Sequence, residues 1–186
     1  MSTTEIKFGG FGGQGVILAG MIIGRAASIY DNKFATLTQS FGPEARGSAC
    51  SAQVIVSEDR ILYPYVTKPQ ILLVMSQEAC NKFLPETTEG ATVIIEEELV
   101  KPKELKPGMK LFAIPATRFA EELGRKMVLN IVMVGFFTAV TKILHFDSVR
   151  EAVKASVPQG TENLNLEAFD RGYKYGVSLG EGYATL

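Results

Sequence analysis

Apolar positions along this chain follow two rhythms that alternate. Short, nearly unbroken runs at Ile71 to Met75, Ala91 to Ile95 and Lys110 to Ile114 read as strands buried on both faces. Gln77 to Leu84, Ala116 to Gly124, Phe146 to Ala155 and Leu166 to Val177 carry helical spacing instead. Near the start, Ile6 to Gly9 predicts a strand running into a glycine cluster. Apolar residues from Gln14 to Ile29 then predict a helix stopped by Asp31-Asn32. Phe34 to Thr38 is a second strand. Ala49 to Val56 alternates well enough for a third, with Arg60 to Tyr63 as its hairpin partner across Ser57-Glu58-Asp59. The alternation predicts an α/β fold: a three-layer sandwich with a mostly parallel or mixed sheet, opened by a Rossmann-like strand, glycine loop and helix. No repeat or linker divides the chain, so residues 1–186 are expected to form a single domain.

One segment breaks the amphipathic pattern. Met127 to Val140 is apolar almost throughout, yet shorter than the roughly 20 residues a bilayer requires. Lys126 and Lys142 bracket it and Asn130 sits inside it. A helix apolar on all sides belongs in a core or against another protein. The second choice predicts association, including self-association of the isolated chain.

Composition narrows the classes. The 186 residues are 46% hydrophobic and 21% charged, with a net charge of -1, which suits a soluble domain with a sizeable core. No basic stretch interleaved with aromatics points to nucleic acid. The charge run from Glu96 to Lys106 is broken by two prolines and reads as a solvated loop. Two distant cysteines, Cys50 and Cys80, are too few for a disulfide scaffold or an iron–sulfur site and read as buried small hydrophobes. The N-terminal residues lack a signal-peptide layout, so a cytoplasmic location is expected.

Candidate chemistry concentrates in Gly9-Gly10-Phe11-Gly12-Gly13-Gln14-Gly15. Gly10, Gly12 and Gly15 fit G-x-G-x-x-G between a strand and a helix, where a diphosphate can approach backbone N–H groups. The dinucleotide version also needs an acidic residue at the end of the second strand; Phe34 to Phe41 offers none, and Asp31 precedes the strand. A tight turn without ligand and a phosphate cradle both stay open. A second loop, Phe41-Gly42-Pro43-Glu44-Ala45-Arg46-Gly47-Ser48, places an arginine that can grip a partner's carboxylate, grip a phosphate, or face solvent. His145 is the single histidine, and no nucleophile triad, P-loop or metal-ligand cluster is nominated. A binding loop without evident machinery is weak ground for an independent enzyme.

Gly10-Phe11-Gly12-Gly13-Gln14-Gly15-Val16, followed by Ala19-Gly20 and Ala26-Ala27, resembles the opening of the gamma subunits of 2-oxoacid:ferredoxin oxidoreductases. The Phe41 to Gly47 loop is similar to that family's second motif, and Asn130 with Gly135 to a third. The wording of the first motif is most similar to the 2-oxoglutarate branch. The resemblance implies an accessory subunit of a complex that turns a 2-oxoacid and CoA into acyl-CoA, CO2 and reduced ferredoxin. It implies alpha, beta and ferredoxin-like delta partner subunits, with thiamine diphosphate and iron–sulfur clusters on those partners, no catalytic residue on this chain and no membrane association. Gly10, Gly12, Gly13, Gln14, Gly15, Arg46 and Gly47 are then the residues expected to contact CoA. A purely structural scaffold and a self-sufficient nucleotide-binding oxidoreductase are the alternatives.

Overall fold

A computed structural model describes residues 3–41 and 49–180. Among these, six strands form one mixed sheet: β1 (Thr3–Phe11), β2 (Phe34–Ser40), β3 (Ala49–Ser57), β4 (Ile71–Val74), β5 (Thr92–Glu96) and β6 (Lys110–Ile114). Their order is β2-β3-β1-β4-β5-β6; β1, β4, β5 and β6 run parallel, while β3 is antiparallel to both β1 and β2. The helices are α1 (Val16–Arg25), α2 (Gln77–Phe83), α3 (Ala116–Glu122), α4 (Leu129–Thr141), α5 (Phe146–Ser156) and α6 (Glu162–Leu179). A π-helical turn, Ala26–Tyr30, extends α1.

Side chains alternate across the sheet, so each strand feeds two cores. Ile6, Phe8, Val54, Leu73 and Ile94 face the layer built by α1, α4, α5 and α6. Leu72, Val74, Val93 and Ile95 face the other side, against Cys80 and Phe83 of α2 and against Val100. The three-layer α/β expectation therefore holds. On the α2 side Lys7 is nearly buried, yet it ion-pairs with Glu86 and stands over the Phe83 ring, 4.4 Å from its centroid.

One expectation needs correction. Arg60 to Tyr63 is not a strand: both edges of β3 are already taken, by β1 and β2, and Pro64 follows at once. The opening strand, glycine loop and helix are present as β1, its loop and α1, and beyond them the topology is not that of a Rossmann fold. The strand after α1 does not lie beside β1, because antiparallel β3 is inserted between them.

The apolar helix proves to be core. Every residue of α4 from Leu129 to Ala139 is buried, enclosed by the sheet and by α1, α3, α5 and α6. It offers no face for association, although Met127 just before it is exposed. Glycines let α4 and α6 touch backbone to backbone. A Cβ at Gly135 would lie 2.0 Å from the Phe169 carbonyl oxygen, and one at Gly172 1.9 Å from that of Val132. Among the described residues, no helix is long and apolar enough to cross a membrane.

Candidate functional site

At the C-terminal ends of parallel neighbours β1 and β4, the chain leaves in opposite directions. After β1 it enters α1 on one face of the sheet; after β4 it enters α2 on the other. The rim of strand ends beside such a divergence is where ligands of α/β sheets commonly bind. The glycine loop forms part of this rim.

Gly10, Gln14 and Gly15 each have a physical role there. Gln14 N–H donates to the Phe11 carbonyl at 3.2 Å, closing a tight turn. The Gln14 side chain turns inward: its Oε1 accepts from Phe11 N–H at 2.7 Å, and its Nε2 donates to the Met75 carbonyl at 2.9 Å. It ties the end of β1 to the residue after β4 and is a clamp for the loop. A Cβ on Gly10 would lie 2.6 Å from that Oε1 and 2.8 Å from Val16 Cγ2, so the clamp itself requires glycine. Gly15 has φ 73° and sits against Asn130, whose Nδ2 donates to the Gly15 carbonyl at 3.2 Å; a Cβ there would come within 2.2 Å of Nδ2. The buried Asn130 of α4 thus supports the loop from below, a role its sequence position, 115 residues away, does not reveal.

Gly12 and Gly13 differ from their neighbours. Gly13 needs glycine for its backbone, at φ 90°, but among the described residues no atom stands within 4 Å of a Cβ at either position. No described residue packed against Gly12 explains a missing side chain. Both open outward, beside the start of α1.

The electrostatics of the rim point the same way. A helix leaves its first N–H groups without intrahelical partners, and these favour an anion. In α2 the Ser76 hydroxyl accepts from Ala79 N–H at 3.2 Å. At α3 the buried Glu96 carboxylate accepts from Thr117 N–H at 3.0 Å, while its other oxygen takes Glu98 and Leu99 N–H at 2.9 and 2.7 Å. The start of α1 has neither: among the described residues no side chain caps it, and its first turn has no acidic residue.

Arg46 and Gly47, together with the rest of Gly42 to Ser48, lie outside the described residues. The chain resumes at Ala49, which pairs with Phe11 at the edge of the glycine loop. His145 is set apart from the rim. It precedes α5, and its Nδ1 lies 3.0 Å from Oδ1 of the buried Asp31 carboxylate. Cys50 and Cys80 are buried on opposite faces of the sheet, and burial pushes both thiols up from their ordinary range. Two thiols so separated cannot serve one cluster.

A family model described as pyruvate ferredoxin/flavodoxin oxidoreductase matches residues 5–175. The chain is similar to the 2-oxoglutarate synthase subunit KorC of Methanocaldococcus jannaschii, 46% identical over 94% of this chain and 95% of that protein. Among solved structures it resembles the gamma subunit of a keto/oxoacid ferredoxin oxidoreductase from Geobacter sulfurreducens. The two share 37% identity at a TM-score of 0.82, over 94% of this chain and 99% of that one. It shares its fold with part of a 2-oxoglutarate:ferredoxin oxidoreductase from Magnetococcus marinus, solved with 2-oxoglutarate, coenzyme A and succinyl-CoA bound. That match is 20% identical at a TM-score of 0.87, covering 98% of this chain and 32% of that one.

Proposed function

The chain belongs to the pyruvate ferredoxin/flavodoxin oxidoreductase family, and from that premise we propose that it works as the gamma subunit of a 2-oxoglutarate:ferredoxin oxidoreductase. The complex converts the 2-oxoacid and CoA to acyl-CoA and CO2 and passes the electrons to ferredoxin. In this reading thiamine diphosphate, which stabilises the carbanion left by decarboxylation, and the iron–sulfur clusters belong to partner subunits. Alpha, beta and ferredoxin-like delta chains complete the assembly, in the cytoplasm.

This chain's own contribution is to help assemble the complex and to shape the CoA site. The diphosphate of CoA is an anion of the kind an uncapped helix start accepts. The observation that carries the reading is the contrast along the rim: among the described residues α2 and α3 have capping groups, whereas α1 has none, and Gly12 and Gly13 meet no described side chain beside it. Gly10, Gln14 and Gly15 hold the loop in shape, and Arg46 and Gly47 add a cation and backbone N–H from the second loop.

Gly12→Val gives a clean test, because a Cβ there meets nothing within 4 Å among the described residues. In the assembled complex, titration calorimetry should show CoA affinity reduced by about tenfold or more, roughly 1.4 kcal/mol, with the melting temperature unchanged. Arg46→Ala should weaken CoA in the same direction. Wild-type affinity in both variants removes this chain from the CoA site. A complex that fails to assemble in either variant supports the scaffold reading instead.

A further inference from the structure

At the end of the sheet opposite the glycine loop, β6 begins at Lys110, and the last turns of α4 and α6 lie beside it. Between them is a groove of about 540 Å³, a size that accepts several side chains. Lys110 and Phe112 of β6 line it, with Val140 of α4, Lys142 just after that helix, and Tyr173 and Val177 of α6. Its floor is low because Gly176 packs straight onto α4: a Cβ there would stand 2.6 Å from Ala139 Cβ. Phe112, Val140 and Tyr173 are half-buried, and Val177 is 57% exposed. The groove is thus apolar along its walls, with two ammonium groups at its margin.

The chain itself leads into this groove. Gly180 closes α6: its N–H donates to the Val177 carbonyl at 3.2 Å, and its φ of 64° turns the backbone off the helical path. Gly180 is also part of the groove wall, so the residues after it start inside the groove. They read Glu181-Gly182-Tyr183-Ala184-Thr185-Leu186. One acid and two large apolar side chains, separated by small residues, complement two lysines and an apolar lining.

We infer that residues 181–186 dock in this groove as a strap, with Glu181 against Lys110 and Lys142 and with Tyr183 and Leu186 against Phe112, Val140 and Val177. Fully extended, six residues reach at most about 20 Å, so the segment can lie along the groove from its starting point at Gly180. The tether favours this occupant over a separate chain. A segment joined directly to the wall is present at an effective concentration of about millimolar at any protein concentration, whereas a separate chain must first give up its translational freedom. A docked strap ties the end of α6 to the edge strand β6. The inference does not depend on the CoA reading, since the groove lies at the opposite end of the sheet from the glycine loop.

Thiol labelling of the full chain tests it, because Cys50 and Cys80 are buried and leave a quiet background. In Val177→Cys the new thiol stands in the groove, and the strap should slow its reaction with an aromatic disulfide reagent. Adding Tyr183→Ser and Leu186→Ser should speed that reaction by about tenfold or more, while a control thiol at Glu78→Cys, exposed on α2, reacts at one rate throughout. Glu181→Lys should also speed it, and Lys110→Glu in the same chain should restore part of the protection. Because a cysteine at 177 itself alters the groove, amide shifts give a second reading. Tyr183→Ser with Leu186→Ser in the otherwise wild-type chain should move the signals of Phe112, Val140 and Val177 and leave those of Ile6 and Phe8 in place. Equal labelling in all variants, or shifts confined to residues 180–186, overturns the inference. So does protection that appears only with the partner subunits present, or only as the concentration of the chain rises, for then a partner or a second copy fills the groove.

Discussion

Asn130 and Gly15 show how a single contact can carry a motif. With φ 73° and an amide pressed against it, Gly15 is constrained twice. A Cβ pays for the left-handed backbone and collides with Asn130. Gly15→Ala should therefore lower stability by about 2–3 kcal/mol in urea unfolding, and Asn130→Ala in the same chain should recover part of the loss. If the two changes simply add, the contact is not the constraint. Asp31 makes a different residue-level point. Burial raises its pKa, but hydrogen bonds from the Ser148 hydroxyl and from the His145 N–H and ring outweigh this and leave it below its ordinary 3.8. A carboxyl depressed on folding stabilises the native state above its unfolded pKa and loses that contribution as pH falls through the lower folded value. Wild type and Asp31→Asn should thus differ in melting temperature at neutral pH, by an amount set by about 2 kcal/mol, and converge well below pH 3.8. A gap that persists at low pH would mean that the carboxylate charge is not its source.

Among the elements, α4 shows most clearly where sequence pattern stops. Its uniform apolarity fits a buried core helix and a docking helix equally well; only the positions of α3, α5 and α6 select the first. The crossing with α6 depends on glycines rather than on large side chains. Gly135→Ala and Gly172→Ala each place a methyl group about 2 Å from a backbone oxygen of the other helix, which cannot rotate away. Either change should cost at least about 3 kcal/mol, measured by chemical denaturation, whereas Gly24→Ala on α1, where no neighbour stands within 4 Å, should be neutral or mildly stabilising. Because α4 also carries Asn130, a shifted α4 should loosen the glycine loop as well. Altered amide shifts at Gly12 and Gly13 in Gly135→Ala would report that coupling.

For the whole molecule, the mixed sheet sets the order of stability. β1 is bonded on both sides and covered on both faces, whereas β2 and β6 are edges. Native-state hydrogen exchange in the dilute chain should find amides of Ile6 and Phe8 among the slowest and those of β2 much faster. Uniform exchange across the sheet would mean that edge position does not govern local opening.

Much of this was legible in the chain itself, because periodicity and glycine placement are local quantities. The buried runs Ile71 to Met75 and Ala91 to Ile95, the strand–glycine–helix opening, the missing carboxylate after Phe34 to Thr38 and the family likeness of Gly10 to Val16 all follow from residues near one another. What needed the tertiary structure was every relation between distant segments. These include the insertion of β3 beside β1, the burial of α4 within this chain, the reach of Gln14 to the Met75 carbonyl 61 residues on and the support of Gly15 by Asn130. A glycine reads the same in sequence whether its own chain fills the space of its side chain, as at Gly10 and Gly15, or leaves it open, as at Gly12. That difference is one of packing between elements, and packing is decided only when the chain has folded.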